Sequence, residues 1–194
     1  MKNLEEREAH WSKGYVTKMQ GTSDKFPLSC IENYEKYIEN KSILEIGPGE
    51  GRQLNILKPL SKQYAIADIS QTALDCHKEI KNKFLITNYS ENFGFQFDTI
   101  VLFYVFHHIL EEELNSFIEF LMRHLNSNGY ICFNIPHGFG EVGDGIVTTK
   151  YELKSFSRNI RDHNLDIIHS NIVATQIKQL SYYMFVVQKK EEFV

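Results

Sequence analysis

Leu44-Glu45-Ile46-Gly47-Pro48-Gly49-Glu50-Gly51-Arg52 is the stretch whose reading decides the fold. The apolar run Ser42 to Ile46 reads as a strand, and the glycines break it. A short helix through Leu54 and Leu57 follows and is expected to stop before Pro59. Glycine at such a turn lets the backbone bend tightly and approach a ligand with no Cβ in the way. The helix behind it offers free N–H groups. Glu45, two residues before the turn, supplies a carboxylate suited to the positive end of a ligand. Asp68 follows Gly47 by 21 residues, at the end of the next apolar run, Tyr64 to Asp68. A carboxylate there can accept hydrogen bonds from both hydroxyls of a ribose. Together these features describe a pocket for an adenosine-like cofactor. The plainer alternative is a tight connection with Asp68 as the N-terminal charge of the next helix. A dinucleotide fingerprint would need its last glycine where Arg52 stands, which disfavours a nicotinamide-dependent oxidoreductase.

Outward from this turn, the periodicity alternates. Before it, Leu28, Ile31, Tyr34 and Ile38 recur at helical spacing, with Pro27 in the first turn. After it come a helix from Gln71 to Ile80 capped by Ser70, then strands Phe84 to Thr87 and Phe97 to Phe103. The clearest helix carries Leu110, Leu114, Phe117, Ile118, Leu121, Met122 and Leu125 in one stripe. It is expected to end at Asn126-Ser127-Asn128-Gly129, with Gly129 left-handed. Tyr130 to Ile135 reads as a strand ended by Pro136. Thr149 and Glu152 make a capping-box pattern for a helix through Leu153, Phe156 and Ile160. Leu165 to Val173 and Leu180 to Gln188 read as a terminal hairpin. The fold class is therefore α/β, a parallel sheet with helices on both faces and one antiparallel strand near the end.

The chain has 194 residues, one domain's worth, with 42% hydrophobic and 24% charged residues, which excludes disorder for its bulk. A net charge of −4 and no Lys/Arg run longer than two argue against a nucleic-acid partner. Cys30, Cys76 and Cys132 are odd in number and far apart, as buried thiols of a reducing compartment would be. The charged opening MKNLEEREAHW lacks the apolar core of a signal peptide. The longest strongly apolar run, Ile100 to Phe106, is far short of the ~20 residues that span a bilayer. A cytoplasmic protein with no membrane contact is the expectation, and the sequence leaves oligomeric state open.

These motifs resemble the class I S-adenosylmethionine-dependent methyltransferases, in particular the small-molecule, type 11/12 or UbiE-like group. Glu45 to Gly51 is similar to the family's first motif, and Ala67-Asp68-Ile69-Ser70 to its second. Phe97-Asp98-Thr99-Ile100-Val101 looks like the family's fourth-strand opening, and Phe106-His107-His108-Ile109 like its common His-His-Leu ending. Leu125 to Gly129 resembles the turn before the fifth strand, with a proline and a glycine replaced. The resemblance implies a three-layer Rossmann-like methyltransferase fold: seven strands, mostly parallel, the last antiparallel, forming a core over 42–190. Residues 1–41 would be a helical lid segment, with Trp11 and Tyr15 folding over the cofactor. It implies S-adenosyl-L-methionine as cofactor, with Gly47, Gly49 and Gly51 against its methionine part, Asp68 on its ribose and Ile69 on its adenine. Asn88 and Tyr89 stand where the family often has Asp-Ala, and Phe103 ends the fourth strand at the same site.

Methyl transfer from a sulfonium is an in-line displacement, in which alignment alone supplies ~7 to 11 kcal/mol. A hydroxyl nucleophile must also lose its proton, and histidine is the usual base. His107 and His108 sit past the fourth strand; as adjacent residues, they are expected to point in different directions. A structural role for the pair is as well supported by sequence as a catalytic one. His137, after Pro136, is a third candidate on the same rim. The remaining histidines, His77 among them, read as surface or packing residues. No carboxylate follows the fourth strand as a metal site would need. The expected activity is methylation of a small polar acceptor, an O-methylation of a metabolite or sugar-like hydroxyl. The alternatives are a small-molecule N-methyltransferase and a non-catalytic cofactor-binding module.

Overall fold

Successive side chains on a strand point to opposite faces, and in this chain both faces of the strands are apolar. Leu44 and Ile46 of β1 (Ser42–Ile46), Ile100 and Leu102 of β4 (Phe97–Leu102) and Ile131, Phe133 and Ile135 of β5 (Leu125–His137) enter one core. Ile43, Val101, Phe103 and Cys132 enter the other. A sheet apolar on both faces must be covered twice. α5 (Leu114–Arg123) and α6 (Leu153–Asp162) supply the first cover; α2 (Glu35–Ile38), α3 (Leu54–Leu60) and α4 (Gln71–Cys76) supply the second. The computed structural model describes residues 4–14, 27–137, 149–174 and 181–191. α1 (Leu4–Gly14) lies outside these layers.

With β2 (Gln63–Asp68), β3 (Asn82–Leu85), β6 (Leu165–Ala174) and β7 (Ser181–Lys189), the sheet has seven strands in the order β3-β2-β1-β4-β5-β7-β6. β1 pairs in parallel with β2 and β4, whereas β7 runs antiparallel to both β5 and β6. This is the seven-stranded Rossmann-like arrangement, with its one reversed strand made by the terminal hairpin. Its order turns at β1 and β4, so the crevice for a ligand opens at their carboxyl ends.

Several boundaries differ from the sequence reading. α3 runs through Pro59 to Leu60, because a proline in the last turn forfeits one backbone bond and the Ser61 N–H still reaches Leu57 O at 3.0 Å. α4 stops at Cys76, where His77 leaves the helical region. β3 begins two residues early, at Asn82, to pair with Ala65. The left-handed residue of the Asn126 to Gly129 stretch is Asn128 (φ 61), inside β5, not Gly129. Gly129 is required for space, since a Cβ there would lie 2.7 Å from Leu125 Cδ1. Leu125 itself starts β5, leaving α5 to end at Arg123. Glu152, not Thr149, caps α6, its carboxylate accepting from the N–H groups of Lys154 and Ser155. Thr149 is held away by its N–H bond to His107 O at 2.8 Å.

The aromatic residues of the first core interlock. Phe106, Phe133, Phe156 and Phe185 meet at centroid distances of 4.7 to 6.2 Å. Phe133, 0% exposed, stands between the other three. Phe133→Ala is expected to lower stability by about 3 to 5 kcal/mol through the cavity it leaves. Urea unfolding followed by circular dichroism measures that loss.

Candidate functional site

β1 ends at Ile46, and the next residues turn through three glycines with positive φ: Gly47 (67°), Gly49 (56°) and Gly51 (78°). L-residues rarely adopt this conformation, so the sequence at these positions is dictated by the backbone. Two neighbours fix the turn in place. The Gly47 N–H donates to Ala67 O of β2 at 2.8 Å, and a Cβ on Gly47 would stand 2.7 Å from Val105 Cγ2, just past β4. On the other side, His77 Nε2 lies 2.9 Å from Gly49 O. Because a carbonyl only accepts, Nε2 must carry the proton. The His77 ring comes so close that a Cβ on Gly51 would meet Cε1 at 2.8 Å. His77, read from sequence as a surface or packing residue, is 5% exposed and is a strut of the turn.

Beneath the turn, Glu45 is 1% exposed and faces α3 rather than the crevice. It accepts from the Tyr64 hydroxyl and, at 3.5 Å, from Gln53 Nε2. Burial pushes its carboxyl up to about 7. Direct contact with the positive end of a ligand is therefore not what this geometry provides; Glu45 ties β1, β2 and the start of α3 together. Asp68 does end β2 at the crevice. It is 7% exposed, burial raises its carboxyl to about 6, and Oδ1 accepts the Ser70 N–H at 2.9 Å. Ser70 also caps α4 through Ala73 N. Ile69, the next residue, is half-buried against the first core.

Asn88 is exposed beyond β3 and occupied within its own loop, accepting from Ser90 N at 2.9 Å and donating to Thr87 Oγ1 at 3.2 Å. Tyr89 packs edge-on against Phe117 with centroids 5.1 Å apart, and burial raises its hydroxyl to about 12. Phe103 is 4% exposed in the core under α3, so its side chain is packing rather than a cofactor contact.

His107 and His108 occupy a single 3-10 turn, Phe106–His108, after β4. Their rings do not diverge as adjacent positions suggest; the centroids are 3.9 Å apart, since the tight turn bends both the same way. Burial lowers His107 to about 4, and burial together with the neighbouring His107 and Arg7 lowers His108 well below its usual value. Both are neutral imidazoles at pH 7, and neither Nδ1 has a hydrogen-bond partner among the described residues. His137 ends β5 on the same rim, its ring 4.4 Å from Tyr183.

α1 crosses this rim. Trp11 meets the His108 ring at 5.0 Å, and Ser12 Oγ is 2.8 Å from Ser70 Oγ. Arg7, 3% exposed, donates to both oxygens of Glu113 at 2.7 and 2.8 Å and to His108 O. Arg7 and Trp11 share one helix face by i, i+4 spacing, the only sequence signal that could have found this role for Arg7. Tyr15 and residues 138–148 lie outside the described residues. Among the described residues, no cluster of His, Cys, Asp and Glu could hold a metal ion, and no helix is long and apolar enough to cross a membrane.

The fold, with an acid ending β2 beside a glycine turn, is Rossmann-like. The comparisons narrow this. A family model described as a methyltransferase domain matches residues 44–131. An uncharacterized methyltransferase of Staphylococcus carnosus is 24% identical over 190 residues, covering 93% of this chain and 84% of that protein. Solved structures share the fold at low identity. The 1,6-didemethyltoxoflavin-N1-methyltransferase of Burkholderia thailandensis has a TM-score of 0.74 at 12% identity, over 98% of this chain and 92% of that one. The magnesium protoporphyrin IX methyltransferase of Synechocystis gives 0.68 at 11%, over 98% of both. The N-methyltransferase NodS of Bradyrhizobium japonicum gives 0.67 at 14%, over 94% and 100%. These likenesses are to methyltransferases, and three of the fold neighbours hold S-adenosylmethionine or S-adenosylhomocysteine.

The residues present fit that cofactor. Three glycines keep side chains off the turn, and Asp68 offers a carboxylate at the crevice. Two outcomes follow. His77→Ala removes the bond to Gly49 O and is expected to weaken S-adenosylhomocysteine binding by roughly tenfold, the worth of one hydrogen bond, with little change in melting temperature; calorimetry measures both. Asp68 must be ionised to accept from ribose hydroxyls, and its carboxyl sits at about 6. Affinity should be level above pH 7 and fall by about tenfold per pH unit below pH 6. Asp68→Asn should abolish that dependence.

Proposed function

We propose that the chain methylates a hydroxyl of a small acceptor and that the His107–His108 pair takes up the hydroxyl proton. The observation that carries this reading is two neutral imidazoles at the carboxyl end of β4, His107 buried and His108 half-buried, each with an unpartnered Nδ1. Burial keeps both rings unprotonated and able to accept at neutral pH, and makes each a weaker base than a free imidazole. S-adenosylmethionine supplies an electrophilic methyl carbon: the acceptor oxygen bonds to it, sulfur keeps the pair of the breaking bond, and the hydroxyl proton passes to imidazole. The Trp11 ring and the buried Arg7–Glu113 pair hold α1 over the histidines, which supports a lid role for the N-terminal segment and excludes water from the proton transfer. Cofactor contacts in this reading come from the Gly47–Gly51 turn, Asp68 and Ile69.

A second reading has specific support, because two of the fold neighbours are named as N-methyltransferases. An amine with a free lone pair needs alignment and no base. The two readings separate on one measurement: transfer of labelled methyl to a panel of small alcohols, phenols and amines. For hydroxyl methylation, His107→Ala or His108→Ala should lower kcat by about 10² to 10⁴ while S-adenosylhomocysteine binding stays intact. His137→Ala should change little. Amines as the preferred acceptors, with both variants near wild-type rate, would reject the hydroxyl reading.

A further inference from the structure

Beside the glycine turn, at the ends of β4 and β5, lies a group of residues that the cofactor contacts do not use. Tyr104 has φ +62, unusual for a residue with a side chain, and its N–H donates to Asn134 Oδ1 at 2.6 Å. That bond fixes the amide, because only the oxygen can accept. Nδ2 therefore faces the other way. Asn134 is 1% exposed, and Nδ2 has no hydrogen-bond partner among the described residues. Buried amide donors without partners are rare, and a molecule bound at the ends of β4 and β5 could supply the missing acceptor. The Tyr104 ring meets that of Tyr182 edge to face with centroids 5.1 Å apart, and Tyr182 pairs with Pro136 of β5, two residues beyond Asn134. Val105, the next residue after Tyr104, is the side chain against which Gly47 rests.

Resting on the methyltransferase reading above, we propose that Asn134, Tyr104 and Tyr182 form the acceptor subsite. Nδ2–H of Asn134 donates to a carbonyl oxygen or ring nitrogen of a flat, uncharged aromatic acceptor held against the tyrosine rings. The three side chains bring one amide donor, two tyrosine hydroxyls, two aromatic surfaces and no charge. A neutral heteroaromatic alcohol can lie against the rings and take the amide bond, whereas an alkylammonium needs a carboxylate or a cage of rings.

The test uses the full chain saturated with S-adenosylhomocysteine, titrated with 4-hydroxyquinoline, glucose and ethanolamine. The expected result is that 4-hydroxyquinoline binds at least about tenfold more tightly than either other probe. Asn134→Asp keeps an oxygen for the Tyr104 N–H but removes the donor. It should weaken 4-hydroxyquinoline about tenfold, the worth of one hydrogen bond, with S-adenosylhomocysteine affinity changed by less than about twofold. Tyr182→Leu should erase the aromatic preference by an independent route and decides the matter if the Asn134 variant fails to fold. Equal binding of the three probes, or variants that bind 4-hydroxyquinoline as the wild type does, overturns the subsite. A wild type that does not bind S-adenosylhomocysteine overturns the methyltransferase reading beneath it, whereas cofactor-product binding without aromatic preference overturns the subsite alone.

Discussion

The positive φ shared by Gly47, Gly49 and Gly51 bends the chain out of the sheet at the point where β1 can no longer pair. That bend does two things at once. It opens the crevice between β1 and β4, and it brings the turn into contact with Val105 on one side and His77 on the other. The turn is thus wedged between the element that carries the histidine pair and the element that follows Asp68. A side chain at Gly47 or Gly51 would have to displace one of those neighbours, and it would also strain the backbone by about 1 to 3 kcal/mol. The two sides of the crevice are consequently set by one piece of backbone.

A second feature of the rim is polar groups that burial leaves short of partners. Nδ1 of His107 and His108, Nδ2 of Asn134 and Nε of Arg7 are all buried without hydrogen bonds among the described residues. Each such group is unfavourable by about 1 to 3 kcal/mol in a dry setting. Elsewhere the polar groups are mixed: Thr99 donates to Tyr37 O, and His124 bonds Phe120 O and the Phe93 N–H, whereas Asn159 Oδ1 of α6 and His169 Nε2 and Asn171 Oδ1 of β6 are also buried without partners among the described residues.

The fold was legible because its signals are local and redundant. Alternating apolar runs name the strands, glycines name the turn, and the terminal pair of strands with a short connection names the reversed one. Boundaries were missed where a tertiary contact outweighed a local rule. Asn128 takes the left-handed position because Gly129 is needed to let Leu125 pass, and Thr149 is drawn to His107 instead of capping α6. The site was legible only in part, for the same reason. Gly47 and Asp68 announce themselves by spacing, whereas His77 reaches Gly49 across 28 residues of chain with no pattern to reveal it. Glu45 fits its motif in sequence yet faces inward, because a position two residues before the turn falls on the α3 side of the pleat.

Asn134 shows how such a residue could be found from sequence after all. An amide within the otherwise apolar strand core Ile131 to Ile135 contradicts its surroundings, and buried amides persist only where their bonds are made. Half of its hydrogen bonding is made by Tyr104, whose left-handed backbone it helps to hold. Replacing Asn134 by an apolar residue of similar volume would remove the unmet donor and leave the Tyr104 N–H without its acceptor. An amide therefore fits this position better than any apolar side chain on structural grounds, but one acceptor oxygen would suffice for that purpose. The unpaired nitrogen is the part that the fold alone does not explain, and it belongs to the side chain that holds Tyr104, the residue before the Val105 against which Gly47 rests.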